Sequence, residues 1–444
     1  MPCEKRFFRK GMLWLLTLMV LCGWSGVSQA ERVVIDFTNP GFQRIPIAIP
    51  DFKYQTSEQT QLAREMGEAL AGDLDYSGVF RPLDPKGFLE DPQTLGMTAG
   101  EIKFPAWQRL GADYLVRAVY QVQGGSLRLE ARLFNVVTGQ MVLGKIYESD
   151  TRNWSAVVHR FADEILMALT GDRGVFDTKI AYTQAQGKNK EIFVVDFDGS
   201  NPVQLTHDQS LALGAAWSND GNQIAYASYK DGNAKIFVSN LLNGSQRLLC
   251  GHPGINISPA WRPGANQLAV TLSKGGNPEI YLVSSSGEIN QRLVQGYSIN
   301  VSPTWSPDGR QLAYVSDESG SPQIYVLDVG SGRKRRISFG GNYNTSPAWS
   351  PKGDWIAFSS LTGGHHNILI CKPDGSEVRH MTNGEGNNES PSWSPDGRMI
   401  AFSSTRQGGS AIWVLLTNGT GVRRLTRTGS GQELPDWSPR LGGR

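Results

Sequence analysis

Trp305-Ser306-Pro307-Asp308-Gly309 is the stretch on which the reading of the fold turns. It recurs as Trp217-Ser218-Asn219-Asp220-Gly221, Trp261-Arg262-Pro263-Gly264, Trp349-Ser350-Pro351-Lys352-Gly353, Trp393-Ser394-Pro395-Asp396-Gly397 and Trp437-Ser438-Pro439, each Trp 44 residues after the last. Five intervals without a slip mark a structural repeat. Within the motif, proline presets φ and glycine tolerates positive φ, so the segment is a tight turn. Working outward, residues 302–306 read as a short strand, 311–316 and 323–328 as alternating strands, and 335–338 as a fourth, with a hairpin turn at Gly330-Ser331-Gly332. Four antiparallel strands at a period near 44 make one blade of a β-propeller.

The ends of the repeat set the blade number. Residues 180–183, 191–196 and 203–206 match the second, third and fourth strands of a unit that lacks its first strand. Residues 434–438 form a lone first strand. The expectation is therefore six blades, with the last strand closing the first blade and leaving no free sheet edge. Strand alternation puts the Pro-Asp-Gly and Gly-Ser-Gly turns on one face. The connectors between blades, with the loops between second and third strands, fall on the other, around the mouth of a central channel. In the connectors, Asn256, Asn300, Asn344 and Asn388 stand five residues before each Trp, and Ser258, Ser302, Ser346 and Ser390 three before it. They read either as a ring of donors and acceptors at the mouth or as caps of their own turns.

Residues 31–175 lack the repeat and read as a separate α/β (α+β) domain. Helical spacing runs from Ser57, a plausible N-cap, to Leu74, and from Trp154 to Leu169, where Gly171 stops it. Residues 33–37, 45–49, 113–122, 127–136 and 140–147 read as strands. The propeller is assigned residues 176–444.

The first thirty residues hold Lys5, Arg6, Arg9 and Lys10 before an apolar run from Met12 to Cys22, with Ser28 and Ala30 at the positions small residues occupy before a cleavage site. These are the parts of a secretory signal peptide. The apolar run is far short of the roughly 20 residues a spanning helix needs. Bulky Leu21 before Cys22 argues against a lipoprotein. Cleavage is expected between Ala30 and Glu31, giving an exported chain. Residues 31–43 then form a strand-prone tip, Glu31-Arg32-Val33-Val34-Ile35-Asp36-Phe37, broken by Asn39-Pro40-Gly41. It suits either an ordinary edge strand or a detachable one that pairs with a partner's sheet. Cys250 and Cys371, the two cysteines left, fall on opposite sides of the ring and are expected as free, buried thiols.

Composition narrows the function class. The 51 Gly, 23 Pro and 12 Trp fit many short strands and turns. After residue 30 the chain carries 39 basic and 40 acidic residues with no basic run, which argues against nucleic acid as a partner. Serine-hydrolase, zinc-protease, Cys-x-x-Cys and phosphate-loop motifs are missing from the sequence. His365-His366 lies in a Gly-rich loop without a neighbouring ligand set. No cofactor or metal is expected, and no enzymatic activity.

Signal peptide, α/β domain of about 140 residues and six blades with Trp-Ser-Pro-Asp-Gly turns, in that order, resemble the TolB family, periplasmic components of the Tol-Pal system of Gram-negative bacteria. The resemblance implies a monomeric, non-enzymatic adaptor, peripheral to membranes through its partners only. It implies that the channel mouth binds the lipoprotein Pal and that the mature N-terminus binds the inner-membrane protein TolA. Other outer-membrane-associated proteins are compatible partners. Carried over, the TolA segment is Glu31, Arg32, Val33, Val34, Ile35, Asp36 and Phe37. The Pal positions are Ile255, Asn256, Ser258, Asn300, Val301, Ser302, Asn344 and Asn388. The competing reading is a periplasmic propeller hydrolase or small-ligand-binding protein, for which a carboxylate pair in the channel would be the sign.

Overall fold

The structure is a computed structural model and describes residues 43–442 apart from 55–59, 92, 95, 428 and 430. The signal peptide, the tip at 31–42 and the Ser57 cap lie outside the described residues.

The N-terminal domain is one sheet with helices on both faces. Its strands are β1 (Ile45–Ala48), β2 (Lys53–Tyr54), β3 (Phe80–Pro82), β4 (Tyr114–Gln123), β5 (Ser126–Asn135) and β6 (Met141–Asp150). Their order is β3-β1-β4-β5-β6, with β2 on β4; β1 runs parallel to β3 and β4, and β4-β5-β6 is an antiparallel meander. Alternation along β4 sends Val116, Ala118 and Tyr120 to one core and Leu115 to the other. On the first face lie α1 (Thr60–Tyr76), burying Ala63, Met66, Leu70 and Leu74, and α3 (Trp154–Thr170), burying Val158, Phe161, Ala162 and Ile165. On the second, α2 (Phe104–Arg109) brings Trp107 against Leu115 and Phe134. Gly171, at φ 81°, ends α3 in the left-handed cap that Gly adopts without a Cβ clash. The short α2 and β3 are absent from the sequence reading because neither is long enough to show a period.

The repeat folds into six four-stranded sheets. Blade 4 is typical: Asn300–Trp305, Gln311–Ser316, Gln323–Asp328 and Lys334–Arg336, from the channel outward. Its second and third strands are buried along almost their whole length, each sheet being sandwiched between two others. The six inner strands, Gln432–Trp437, Ala212–Trp217, Asn256–Trp261, Asn300–Trp305, Asn344–Trp349 and Asn388–Trp393, follow one another round the ring, and the last returns to the first.

The expectation that the last strand closes the first blade and leaves no free sheet edge is corrected here, because none of the described sheets is closed. Gln432–Trp437 pairs antiparallel with Lys179–Gln186 and becomes the inner edge of an open sheet that ends at Val203–Gln204. The ring is completed by side-by-side packing of inner strands, so every blade keeps an outer edge. Those edges are blunted by shortness and charge, as at Lys334–Arg336, Arg379–His380 and Arg423–Arg424, which disfavours pairing with another chain.

Trp staples hold the blades together. The indole N–H of Trp217 donates to the Asp436 carbonyl at 3.1 Å, and Trp261, Trp305 and Trp393 donate likewise to Ala216, Ala260 and Ala348 of the preceding blade at 3.2, 3.2 and 3.0 Å. In the turn that follows, Ser306 Oγ donates to Asp308 Oδ1 at 2.5 Å, which also accepts from the Arg310 N–H at 3.1 Å. These bonds hold the Asp308 carboxyl below its ordinary range. The recurrent aspartates are turn pieces. Cys250 and Cys371 are free and buried, and burial pushes their thiols up to about 11 and about 12.

The N-terminal domain sits on the face of these turns, against blades 5, 6 and 1. Asp172, just past α3, faces Arg398 and Lys352, both at 3.4 Å, and Arg398 also donates to Thr170 Oγ1 at 3.0 Å. Tyr76, the last residue of α1, donates its hydroxyl to the Phe197 carbonyl at 2.7 Å. One apolar cluster runs from Met66 and Phe161 to Val195, Val414 and Trp437 and makes the two domains a shared core.

Candidate functional site: the connector face of the ring

With the turn face of blades 5, 6 and 1 covered by the other domain, the connector face is the one left open all round the ring. Its geometry is set by buried polar residues. At the first position of the third strand, Glu279 and Gln323, and two residues into theirs Glu191 and Asn367, aim at the connector beside them. Glu191 accepts from the Gln209 N–H at 2.8 Å, Gln323 Oε1 from Ser338 Oγ at 2.7 Å, and Asn367 Oδ1 from the Gly384 N–H at 2.8 Å. A hydroxyl in the connector answers in four blades: Thr206, Ser338, Thr382 and Thr426 accept from the backbone N–H of Ile192, Ile324, Ile368 and Ile412 at 2.8–3.0 Å. The connectors are thus pinned at both ends.

The asparagines belong to the same framework. Asn256, Asn300, Asn344 and Asn388 are all buried. Asn256 Nδ2 donates to the Ala234 and His252 carbonyls at 3.0 and 2.8 Å, and Asn344 Nδ2 to Gln323 Oε1 and the Gly340 carbonyl at 2.8 and 2.9 Å. Asn300 donates to the Ser298 carbonyl at 3.0 Å, and Asn388 Oδ1 accepts from Ser404 Oγ at 2.7 Å. Of the two readings of this ring, the structure shows the caps. The amides turn inward, to their own loops and to the strands beside them, because a buried amide left unbonded would cost its full desolvation.

The serines mark a backbone kink. Ser258, Ser302, Ser346 and Ser390 have φ of 52–56°, and the equivalent Leu434 has 54°. Each precedes a proline, and each falls where the inner strand slips register against the second strand. This is a β-bulge at which the missing proline N–H breaks no ladder bond. Left-handed backbone at a residue with a Cβ costs roughly 1–2 kcal/mol, and it is spent at the channel wall in five blades of six; Gly214 occupies the sixth position.

Between bulge and mouth, the wall changes character around the ring. The residues before the kink are Leu213, Ile257 and Val301 on one side, then Thr345, Glu389 and Glu433, all half-buried. Glu433 is held by Lys190 at 2.6 Å, and Glu389 faces His366 at 3.9 Å. Deeper in, Asp436 Oδ2 accepts from the Trp217 N–H at 2.8 Å and Oδ1 lies 3.5 Å from Ser392 Oγ, tying blade 1 to both neighbours. Burial pushes this carboxyl up to about 7. Among the described residues no three His, Cys, Asp or Glu side chains come close enough to hold a metal ion.

On the apolar side the connectors carry side chains that sequence reasoning passed over. Tyr297 is 99% exposed and Phe339 69%, with Ile299, Tyr343 and Leu361 also exposed, all in blades 3 to 5 on this one face. Arg336 lies over the Phe339 ring at 5.3 Å, and Tyr343 meets His366 edge-on at 6.0 Å. The available signal was aromatic residues inside Gly-rich loops, Gly296-Tyr297 and Phe339-Gly340-Gly341-Asn342-Tyr343, where polar residues are the rule. Exposed apolar groups gathered in one place mark an interaction surface. Of the sequence-predicted positions, Ile255, Ser258, Val301 and Ser302 are half-buried along the wall beside this crescent, and the four asparagines lie beneath it.

Comparison with known proteins identifies the scaffold. The family model described as the TolB amino-terminal domain matches residues 33–142, and the TolB beta propeller domain matches residues 166–441. The Tol-Pal system protein TolB of Desulfosudis oleivorans is 39% identical over 209 residues, covering 47% of this chain and 48% of the relative. That of Syntrophotalea carbinolica is 37% identical over 209 residues, with the same coverage. The chain thus spans about half the length of the curated relatives it matches. The crystal structure of TolB from Acinetobacter baumannii superposes with a TM-score of 0.80 at 25% identity, covering 90% of this chain and 97% of that one. With its repeat matched over more than half of its length and its N-terminal domain matched before it, this chain belongs to the TolB family.

Proposed function

We propose that the chain is a non-enzymatic periplasmic adaptor of the Tol-Pal system, which links Pal at the connector face to TolA at the tip for outer-membrane constriction in cell division and for envelope integrity. The observation that carries this is the crescent of Tyr297, Ile299, Phe339 and Tyr343 on the face of the ring opposite the N-terminal domain. In a chain of this family, an exposed aromatic surface on a rigid frame is a protein-docking surface. Ile255, Ser258, Val301 and Ser302 line the wall that a Pal side chain would enter. Asn256, Asn300, Asn344 and Asn388 contribute by holding the connectors in shape. Glu31 to Phe37 bind TolA as an added strand, and the tip exchanges between a docked and a free state.

Calorimetric titration of the chain from Glu31 with the periplasmic domain of Pal tests the first half, and the same titration with residues 31–42 deleted tests the coupling. Binding in both, with a changed affinity after deletion, is expected. Equal affinities would remove the coupling, and no binding in either would overturn the Pal assignment.

A further inference from the structure

The repeat places equivalent grooves between successive blades on the turn face, and one of them shows what such a groove can hold. Between blades 6 and 1 the groove receives Tyr76 from the end of α1. The Arg423 guanidinium lies over its ring at 3.2 Å and donates to its carbonyl at 2.9 Å, while its hydroxyl reaches the Phe197 carbonyl and its ring meets Phe197 edge-on at 5.2 Å. Gly78, two residues on, packs against Leu416 so closely that a Cβ would meet it at 2.7 Å.

Two repeats round the ring, the groove between blades 2 and 3 is an open cavity of about 270 Å³. Its wall residues stand at the same places in the repeat. Arg247 is the counterpart of Arg423 and Trp261 of Trp437, while Gln223, Asn240, Ser245 and Ser285 replace Met399, Leu416, Gly421 and Phe197. Two features mark it as a working groove. The Arg247 side chain, on a strand paired through its backbone, makes no hydrogen bond or ion pair with the described residues. Its counterparts are engaged, Arg335 with the Pro373 carbonyl at 3.0 Å and Arg379 over the Trp355 ring at 4.5 Å. Trp261 is only partly buried where the other five repeat Trp residues are buried. A groove permanently covered by its own chain has an apolar wall; one that alternates between water and a partner needs a wall that is stable in both, and amides and hydroxyls supply it.

We propose that the groove between blades 2 and 3 is a second docking pocket, which takes a tyrosine-like side chain presented by a partner polypeptide, in the way that Tyr76 fills the groove between blades 6 and 1. Arg247 stacks on the ring and holds the carbonyl beside it, Trp261 forms the floor, and the amides of Asn240 and Gln223 bond the hydroxyl and flanking backbone. This site is separate from the connector face and does not depend on the function proposed there.

The test uses N-acetyl-tyrosinamide as probe and nuclear magnetic resonance of the indole N–H signals of the whole folded chain. The Trp261 signal should shift and saturate in the millimolar range typical of a single side chain, with Trp305 unmoved. Arg247→Ala should weaken the response at least fivefold. Asn240→Leu, which restores the apolar residue of the filled groove, is a second variant should the first alter folding. No movement of Trp261, or the same affinity in both variants, would overturn the assignment. Tighter binding of N-acetylglucosamine than of the tyrosine probe would overturn the polypeptide partner in favour of a sugar.

Discussion

The two faces of the ring are made from the same repeat and have been put to opposite uses. On the turn face the Ser-Asp turns of blades 2, 4 and 6 repeat one set of bonds, and the N-terminal domain is seated there through Tyr76, Asp172 and Thr170. On the connector face the backbone frame also repeats, through buried polar anchors, but the exposed side chains do not: Tyr297, Phe339 and Tyr343 gather in blades 3 to 5 while glutamates occupy blade 6 and the shared blade 1. The lesson is that periodic residues build the scaffold, while departures from the period shape the exposed surface for which docking is proposed.

The sharpest way to break that comparison is to exchange damage between the faces. Trp305→Ala removes a staple between blades 3 and 4 and should cost about 3–5 kcal/mol in chemical denaturation. Tyr297→Ala, at a fully exposed ring, should change stability by less than about 0.5 kcal/mol. Comparable losses would mean that the connectors are also scaffold.

A second effect, of about 2 kcal/mol, concerns buried acids. Burial pushes Asp436 in the ring to about 7, and burial with the charge of Asp177 pushes Asp163, on α3 of the N-terminal domain, to about 7. A carboxyl whose folded value is raised favours the fold while protonated. Its contribution is therefore complete below the ordinary carboxylate range near pH 4 and is lost as pH rises through 7. Denaturation midpoints should fall between pH 5 and 8, and Asp436→Asn should flatten that slope while keeping an acceptor for the Trp217 N–H. A slope unchanged in the variant would remove Asp436 from the account.

Asn344→Ala sharpens the comparison within the connector face. It strips two bonds from a buried loop anchor and should cost about 1–2 kcal/mol, with faster amide exchange in residues 338–343 and not in the turns. The smallest effect is expected at the kink. Leu434→Gly relieves a left-handed backbone and should be neutral or stabilising by up to about 1 kcal/mol; a clear loss would show that the Leu434 side chain supports the wall.

Much of the scaffold was readable because it repeats. The spacing of Trp217 to Trp437 carried blade number, strand order and the two faces, and the Asp308-type turns declared themselves by recurrence. What escaped has physical reasons. The open outer edges were missed because strand count says nothing about how an edge is protected, a task done by the charges of Lys334–Arg336 and Arg423–Arg424. The inward turn of Asn344 depends on Gln323 two strands away, that of Asn256 on the Ala234 carbonyl and that of Asn388 on Ser404, which spacing alone does not reveal. Tyr297 and Phe339 were passed over because a search for periodic residues discards those that break the period. The equivalence of the two grooves became visible only once Tyr76, from the other domain, was seen to occupy one of them.

The central claim is that the proposed docking of Pal takes place on the connector face. Its most direct test is calorimetric titration of the periplasmic domain of Pal into three proteins: the chain from Glu31, the same chain with Tyr297→Ser, Phe339→Ser and Tyr343→Ser, and the same chain with Leu242→Ser, an exposed apolar residue on the turn face. The account predicts a loss of about 100-fold or more for the triple variant and a change of less than about twofold for Leu242→Ser. Equal affinity in all three, or a loss confined to the turn-face variant, would contradict it.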